Sequence, residues 1–209
     1  MKLSFFTLGC PDWSLEEIVN KAVEYGYDGV ELRVKEKQHV DVGMTTTERK
    51  QVRSLFERNK IEICSLGGYA FFCSDKVEEL EKNRELLLAS IGLAQDLGAP
   101  YVRAFLGEYP TTTTEEKVIE NAAKYLGEAG EEAVKKGVTI LLENHEPFGT
   151  GTQIKKVLDK IDNNGVAALL DIHNSILSKE LPQKTYKILK DKVKFLHVKD
   201  AIETETGSR

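Results

Sequence analysis

The sequence predicts an α/β fold, a (β/α)8 TIM barrel, from three observations. First, short apolar runs alternate with amphipathic helical segments along nearly the whole chain, which is typical of a parallel sheet with right-handed crossovers. Second, no Gly-x-Gly-x-x-Gly or Walker A loop is present, which disfavours a nucleotide-binding doubly wound sheet. Third, polar side chains end several of the apolar runs, as they do on the strands of barrel enzymes.

The number of apolar runs of strand length is one short of a full barrel. The runs lie at residues 3–8, 28–34, 61–66, 101–106, 138–143, 166–171 and 193–198. A (β/α)8 barrel has about 250 residues, whereas this sequence has 209. We therefore expect one domain over residues 1–209, truncated after strand seven. On barrel size, the natural protein is expected to be longer by roughly 50–70 residues.

Helix-start signals precede the amphipathic segments between the runs. Ser14 with Glu17 and Thr45 with Glu48 form capping boxes, in which a hydroxyl and a carboxylate satisfy the first free amides of a helix. Further helices are expected to begin near Ser74, Thr113, Thr152 and Pro182. Each predicted helix lies between two predicted strands, as the barrel requires.

Composition and charge exclude several classes of protein. The chain is 41% hydrophobic and 30% charged with a net charge of −5, which gives no field to attract nucleic acid or an anionic membrane. The first apolar run is too short for a signal peptide or a membrane span. Cys10, Cys64 and Cys73 are odd in number and form no Cys-x-x-Cys pair. We therefore expect buried thiols in a cytoplasmic protein without nucleic-acid or membrane partners.

Three of the predicted strands end in an ionisable side chain: Glu143 on the fifth, Asp171 on the sixth and His197 on the seventh. Side chains alternate along a strand, so each shares a face with the residues two and four positions earlier, which are apolar except for Thr139. If those faces point inward, the three groups converge at the carboxyl rim, where barrel enzymes place their catalytic groups. Two carboxylates and an imidazole suit Mn²⁺, Mg²⁺, Co²⁺ or Zn²⁺. The two carboxylates also need a cation between them, because bare they would repel.

Five further residues are candidates for substrate contact. They are His145, His173, Lys199, Arg103 and Trp13. Either histidine can form a hydrogen bond to a substrate or cap a loop. The tryptophan can line the substrate site or pack against apolar residues at the rim. The lysine and the arginine would stabilise developing oxygen charge. The alternatives are a solvated loop lysine, and an arginine paired with a neighbouring carboxylate such as Glu31.

Four sequence motifs resemble those of a known family. Glu-Asn-His at 143–145, Asp-Ile-His-Asn at 171–174, Leu-His-Val-Lys-Asp at 196–200 and Gly-Tyr-Asp-Gly-Val-Glu at 26–31 are similar to the xylose isomerase-like TIM-barrel superfamily. More narrowly they resemble its sugar phosphate isomerase/epimerase group, which includes ketose 3-epimerases and is related to AP endonuclease family 2.

The resemblance implies a metal bound by the glutamate, aspartate and histidine that end strands five to seven. It also implies a fourth ligand, a strand-eight glutamate that forms an acid/base pair with the strand-five glutamate in the epimerases. This sequence has no counterpart of that residue. It also departs from several relatives three positions after Asp171, where they have histidine and this chain has Asn174.

The predicted function is a divalent-metal-dependent isomerase or epimerase of a ketose, sugar phosphate or related polyol, with Glu143 moving a proton through an enediolate. A non-catalytic barrel that binds a sugar or a partner stays open as an alternative. A DNA repair enzyme like the AP endonucleases is disfavoured, because strands two to four lack terminal histidines and the chain is acidic. A homo-oligomer is also left open, because an unpaired edge between strands one and seven could pair with another chain.

Overall fold

A parallel sheet of seven strands, in sequential order, forms the centre of the computed structural model. The structure describes residues 1–110, 112–200, 203–204 and 207–208. The strands are β1 (Ser4–Phe6), β2 (Gly29–Arg33), β3 (Glu62–Gly67), β4 (Tyr101–Ala104), β5 (Thr139–Glu143), β6 (Val166–Asp171) and β7 (Val193–His197). The sheet curls into an incomplete barrel with helices on its outer face, which confirms the predicted seven-stranded (β/α)8 architecture. No eighth strand joins this sheet within the described part of the chain, where residues 203–204 pair only with 207–208.

Helices connect the successive strands. They are α1 (Leu15–Tyr25), α2 (Thr46–Arg58), α3 (Val77–Leu97), α4 (Glu115–Lys135), α5 (Gly151–Leu158), α6 (Ile172–Leu177) and α7 (Pro182–Leu189). Six of these correspond to predicted helices. The short helix α6, which begins directly after β6, was not predicted from the sequence.

The first two helix starts are confirmed. Ser14 accepts a hydrogen bond from the Glu17 amide at 3.2 Å, and Thr45 accepts one from the Glu48 amide at 3.3 Å. In both cases the glutamate side chain accepts a hydrogen bond from the cap amide. These reciprocal bonds satisfy backbone donors that have no partner inside the helix.

The next three predicted starts are wrong by one to three residues. Helix α3 begins after Lys76, because the Ser74 hydroxyl bonds the Lys76 amide in a local turn instead of capping the helix. Thr114 rather than Thr113 caps α4. Thr150 rather than Thr152 caps α5, in a capping box that Gln153 completes. In α4 and α5 a neighbouring hydroxyl takes the cap because it reaches the free amide, whereas α3 has no side-chain cap.

Two apolar clusters lie on opposite faces of the sheet. The larger one fills the layer between the sheet and the helices. The smaller one lies inside the barrel and consists of Leu141, Ala167 and Leu169, with Tyr101 and Phe195 packed against it. These residues belong to the same strand faces as the polar ends of β5, β6 and β7. The predicted inward direction of those faces is therefore confirmed.

The cysteines carry no disulfide and are half-buried rather than fully buried. Burial raises the pKa of both the Cys64 and the Cys73 thiol to about 12. Both are therefore neutral thiols at physiological pH. Among the helices of the described residues, none combines the length and the apolar character needed to cross a membrane.

Candidate metal centre

The three predicted ligands meet at the carboxyl end of the sheet. Glu143, Asp171 and His197 are the last residues of β5, β6 and β7. One ligand atom from each lies within 4.8 Å of the others. The His197 Nδ1 atom is 3.6 Å from Glu143 Oε1 and 4.0 Å from Asp171 Oδ2. Both carboxylates are buried.

This donor set fits a divalent cation. Ligand atoms about 2.0–2.2 Å from an ion lie roughly 3 to 3.5 Å from one another in tetrahedral or octahedral geometry. The observed separations from His197 are 3.6 and 4.0 Å, and all three ligand atoms lie within 4.8 Å of one another, so the side chains would move inward on binding an ion. Two carboxylate oxygens and one imidazole nitrogen suit several divalent ions without selecting one of them.

The carboxylates of Glu143 and Glu31 favour a positive charge on His197. Burial alone would lower the pKa of His197, but its hydrogen bonds and charge interactions with Glu143 and Glu31 raise it to about 9. Burial alone would raise the pKa of Glu143. Its interactions with His197 and Arg103 outweigh burial and hold that pKa below the ordinary glutamate value. The buried carboxylate is therefore ionised, and a cation between the strand ends is electrostatically favoured.

Asn174 is a site residue that sequence reasoning noted only as a departure from relatives. Its side-chain amide donates to Glu143 Oε1 at 3.3 Å, and its backbone amide donates to Asp171 Oδ1 at 2.8 Å. Asp171 is the N-cap of α6, so its side chain accepts a hydrogen bond from the backbone amide of Asn174, the third residue of the helix. The unpredicted helix α6 thus explains how Asn174 enters the site.

Asn144 fixes the ends of β5 and β6 relative to each other. Its side chain accepts from the Asp171 backbone amide at 2.7 Å and donates to the Asp171 carbonyl at 3.0 Å. The residue is fully buried. Because both bonds go to the backbone of a proposed ligand, Asn144 sets the distance between the two carboxylates without contacting a metal itself.

Two positively charged side chains, Lys199 and Arg103, complete the site. Lys199 Nζ lies 2.9 Å from Asp171 Oδ2 and 3.1 Å from Asn174 Oδ1, with its side chain 45% exposed. Arg103 is buried and lies 3.2 Å from Glu143 Oε2. The arginine is thus paired with a carboxylate on a neighbouring strand, as the alternative interpretation expected, but the partner is Glu143 and not Glu31, which contacts His197 instead.

Glu31 is a second residue of this site whose role the sequence did not reveal. It lies in the middle of β2 and is only 1% exposed. Its carboxylate lies 2.7 Å from His197 Nε2 and accepts from the Ser65 hydroxyl at 3.3 Å. The available signal was a carboxylate between the apolar residues Val30 and Leu32, since a buried carboxylate requires a partner. We call the seven connected side chains the rim cluster: Glu31, Arg103, Glu143, Asp171, Asn174, His197 and Lys199.

The remaining candidates lie around this cluster. His145 is exposed, with its ring edge-on to Phe105 at 5.2 Å, and contributes to the lowered pKa of Glu143. His173 is half-buried in the first turn of α6. Trp13 lies in the loop before α1 and is 36% exposed. Contact of these three side chains with a substrate stays a prediction.

Fold and site together define the class of protein: an α/β barrel with its polar groups gathered at the carboxyl ends of the strands. Within that class the chain belongs to the xylose isomerase-like TIM barrel family, whose model matches residues 19–209. Among proteins with curated descriptions, none matches the chain.

Solved structures of similar fold include two sugar epimerases and a zinc-binding protein. The IOLI protein with a bound zinc atom has a TM-score of 0.83 at 18% identity, over 98% of this chain and 74% of that one. D-psicose 3-epimerase in the presence of D-fructose has a TM-score of 0.83 at 12% identity, over 99% of this chain and 76% of the epimerase. The E. coli 3-keto-D-glucoside 4-epimerase YcjR has a TM-score of 0.81 at 12% identity, over 96% of this chain and 79% of that enzyme. At these identities the likeness shows the fold.

Proposed function

We propose that this protein is a divalent-metal-dependent sugar isomerase or epimerase that moves a proton next to a carbonyl group. The observation that carries the proposal is the convergence of Glu143, Asp171 and His197 within 4.8 Å at the carboxyl end of the barrel. The zinc in the IOLI protein and the D-fructose with D-psicose 3-epimerase support the same chemistry. The single-domain organisation, the cytoplasmic location and the lack of a nucleic-acid partner stay predictions.

Glu143 is the proposed base. A bound divalent ion would polarise the substrate carbonyl and the adjacent hydroxyl, which makes the hydrogen on the carbon between them more acidic. The carboxylate would take that proton and return it, a general acid–base step typically worth about 10²- to 10⁴-fold in rate. Arg103 and Asn174 contact its two oxygens and so fix the plane of the carboxylate before the substrate arrives.

Lys199 is the proposed stabiliser of the negative oxygen that forms when the proton leaves. Its ammonium group is held by Asp171 and Asn174, and nearly half of the side chain is exposed. It is therefore both positioned and open to the mouth of the barrel. A fixed positive charge near a developing oxyanion lowers the barrier without further reorganisation.

Isomerisation and epimerisation place different demands on the site. Moving a proton between adjacent carbons on one face needs one base, which Glu143 would supply. Inverting a carbon needs a second proton-transfer group on the opposite face. The family resemblance assigns that role to a strand-eight glutamate, and the described strands do not supply it.

Metal content tests the proposed ligands. The wild type should bind one equivalent of Mn²⁺ or Zn²⁺ in equilibrium dialysis, and Glu143→Ala should bind much less. Glu146→Ala is the matched control, since Glu146 is exposed and only three residues away. Unchanged metal content in the Glu143 variant would contradict the ligand assignment.

Hydrogen exchange tests the reaction. Metal-loaded protein should incorporate deuterium from D₂O into the carbon next to the carbonyl of at least one member of a ketose and ketose-phosphate panel. Solvent exchange seen by ¹H NMR should disappear in Glu143→Gln. Binding of a sugar without any exchange would favour the non-catalytic alternative.

A further inference from the structure

Glu31 and His197 meet across the mouth of the barrel, although 166 positions separate them in the sequence. Glu31 lies on β2 and His197 ends β7, so the contact exists only because the sheet curls. The carboxylate is almost completely buried, and burying an ionised carboxylate is costly unless hydrogen bonds compensate it. Its two described partners are the imidazole and the Ser65 hydroxyl.

The contact distinguishes the two nitrogens of the imidazole. The Nε2 atom lies 2.7 Å from Glu31 Oε2, whereas the Nδ1 atom faces Glu143 and Asp171. An ionised carboxylate only accepts hydrogen bonds, so the nitrogen that faces Glu31 carries a proton. A nitrogen with a proton cannot coordinate a metal, which leaves Nδ1 as the ligand atom.

We propose that Glu31 is a positioning residue for the metal centre: it holds the Nε2–H group of His197 so that Nδ1 points at the two carboxylates. The inference rests on the proposed function, since it assumes a metal at this site. Histidine ligands of metals usually donate their second ring N–H to a carboxylate, a carbonyl or water, and loss of that partner typically lowers metal affinity by about 10- to 100-fold.

Packing alone does not account for the orientation of the ring. Phe6 stacks on the imidazole at 6.0 Å with an angle of 13° between the planes, and Phe195 meets it edge-on at 5.8 Å. These aromatic contacts fix the plane of the ring. A half-turn of the ring about its Cβ–Cγ bond would keep both contacts, but it would place the carbon atoms Cδ2 and Cε1 where Nδ1 and Nε2 now lie. The contact between Nε2 and the Glu31 carboxylate therefore decides that Nδ1, rather than Cδ2, faces the metal ligands.

The wild-type protein allows a direct test. In the zinc-loaded protein, ¹⁵N–¹H correlation spectra of the imidazole should show His197 with a protonated Nε2 and a zinc-bound Nδ1. The signals are assigned by their loss in His197→Gln. Zinc bound through Nε2 would overturn the inference while leaving the metal centre of the proposed function intact. A wild type that binds no zinc would overturn both, and dialysis identifies that case independently of the spectra.

A variant pair tests the contribution of the carboxylate. Glu31→Gln should weaken Zn²⁺ binding by about 10- to 100-fold in competition titrations, and Glu31→Asp should recover part of the loss. The matched control is Glu62→Gln, which removes a strand glutamate paired with Lys2 at an exposed position. Full zinc affinity with unchanged imidazole signals in folded Glu31→Gln would overturn the proposal. If that variant does not fold, the wild-type spectra and Glu31→Asp still decide it.

Discussion

The two faces of the central sheet are built on different principles. The outer face packs an extensive, almost purely apolar layer against the helices. The inner face has only a small apolar cluster, and above it lies the rim cluster of seven connected polar side chains. The outer layer is non-directional and derives its stability from buried area. The rim cluster depends on pairings between particular atoms, which are costly to bury unless every group is satisfied.

This contrast implies that stability and function can be separated by substitution. Leu142 and Glu143 are adjacent on β5, both are buried, and their side chains point to opposite faces. A change at the first should mainly alter the free energy of unfolding. A change at the second should mainly alter metal binding and catalysis.

The largest effect is expected for Glu143→Gln. The variant keeps the size of the side chain but loses the basic carboxylate, so the rate of hydrogen exchange into an accepted ketose should fall by about 10²- to 10⁴-fold. NMR measurement in D₂O on metal-loaded protein gives the rate, with Glu146→Gln as the control. A loss of less than tenfold would show that another group is the base.

A large effect on stability, rather than on catalysis, is expected for Leu142→Ala. Truncating a fully buried leucine in the outer layer should lower the free energy of unfolding by roughly 2–5 kcal/mol. Urea denaturation followed by circular dichroism measures the change, and zinc affinity of the folded variant should equal that of the wild type. A parallel loss of zinc affinity would mean that the two faces are coupled.

Asn144→Ala should affect both properties to a smaller degree. The substitution removes two bonds to the Asp171 backbone and leaves buried groups unsatisfied, at a cost of about 1–3 kcal/mol. It also frees the end of β6 that positions the aspartate, so zinc should bind more weakly. Urea denaturation and competition titration on the same sample measure both. Loss of stability with intact zinc affinity would restrict Asn144 to a structural role.

The smallest effect is expected from the titration of His197 in protein treated with a chelator. It is expressed as the change in the free energy of unfolding per pH unit. The folded-state pKa of His197, about 9, lies above the ordinary value of 6.5. The stabilisation it gives should therefore be complete below about pH 6.5 and be lost as the pH rises through 9, with a slope of at most about 1.4 kcal/mol per pH unit. Urea unfolding between pH 6 and 10 measures it. His197→Gln should remove this part of the slope, and an unchanged slope would exclude the imidazole as its source.

The periodicity of the sequence predicted most of the fold. All seven strands were expected within a few residues of their observed limits, because each is a short apolar run between turn and cap signals. Cap positions were less accurate where several hydroxyl residues lie close together, as Thr113 and Thr114 do. There the sequence offers two caps with equal chemistry, and only the local backbone geometry selects one.

The candidate site was predicted in part. Alternation along a strand was enough to place Glu143, Asp171 and His197 on the inner face at its carboxyl end. A carboxylate partner for Arg103 was one of the two interpretations offered, but the example named was Glu31 and not Glu143, since a single sequence carries no distances between strands. Asn174 was recognised only as a departure from relatives, because α6 is too short to give a clear helical period.

By itself the sequence determined which side chains face the inside of the barrel, because that property depends on the period of two along each strand. Only the tertiary structure decided how those side chains pair. The curl of the sheet brings the middle of β2 to the end of β7, and this long-range geometry joins Glu31 to His197. The physical reason is that a period is local to one strand, whereas a hydrogen bond across the barrel depends on the twist and closure of all the strands between its partners.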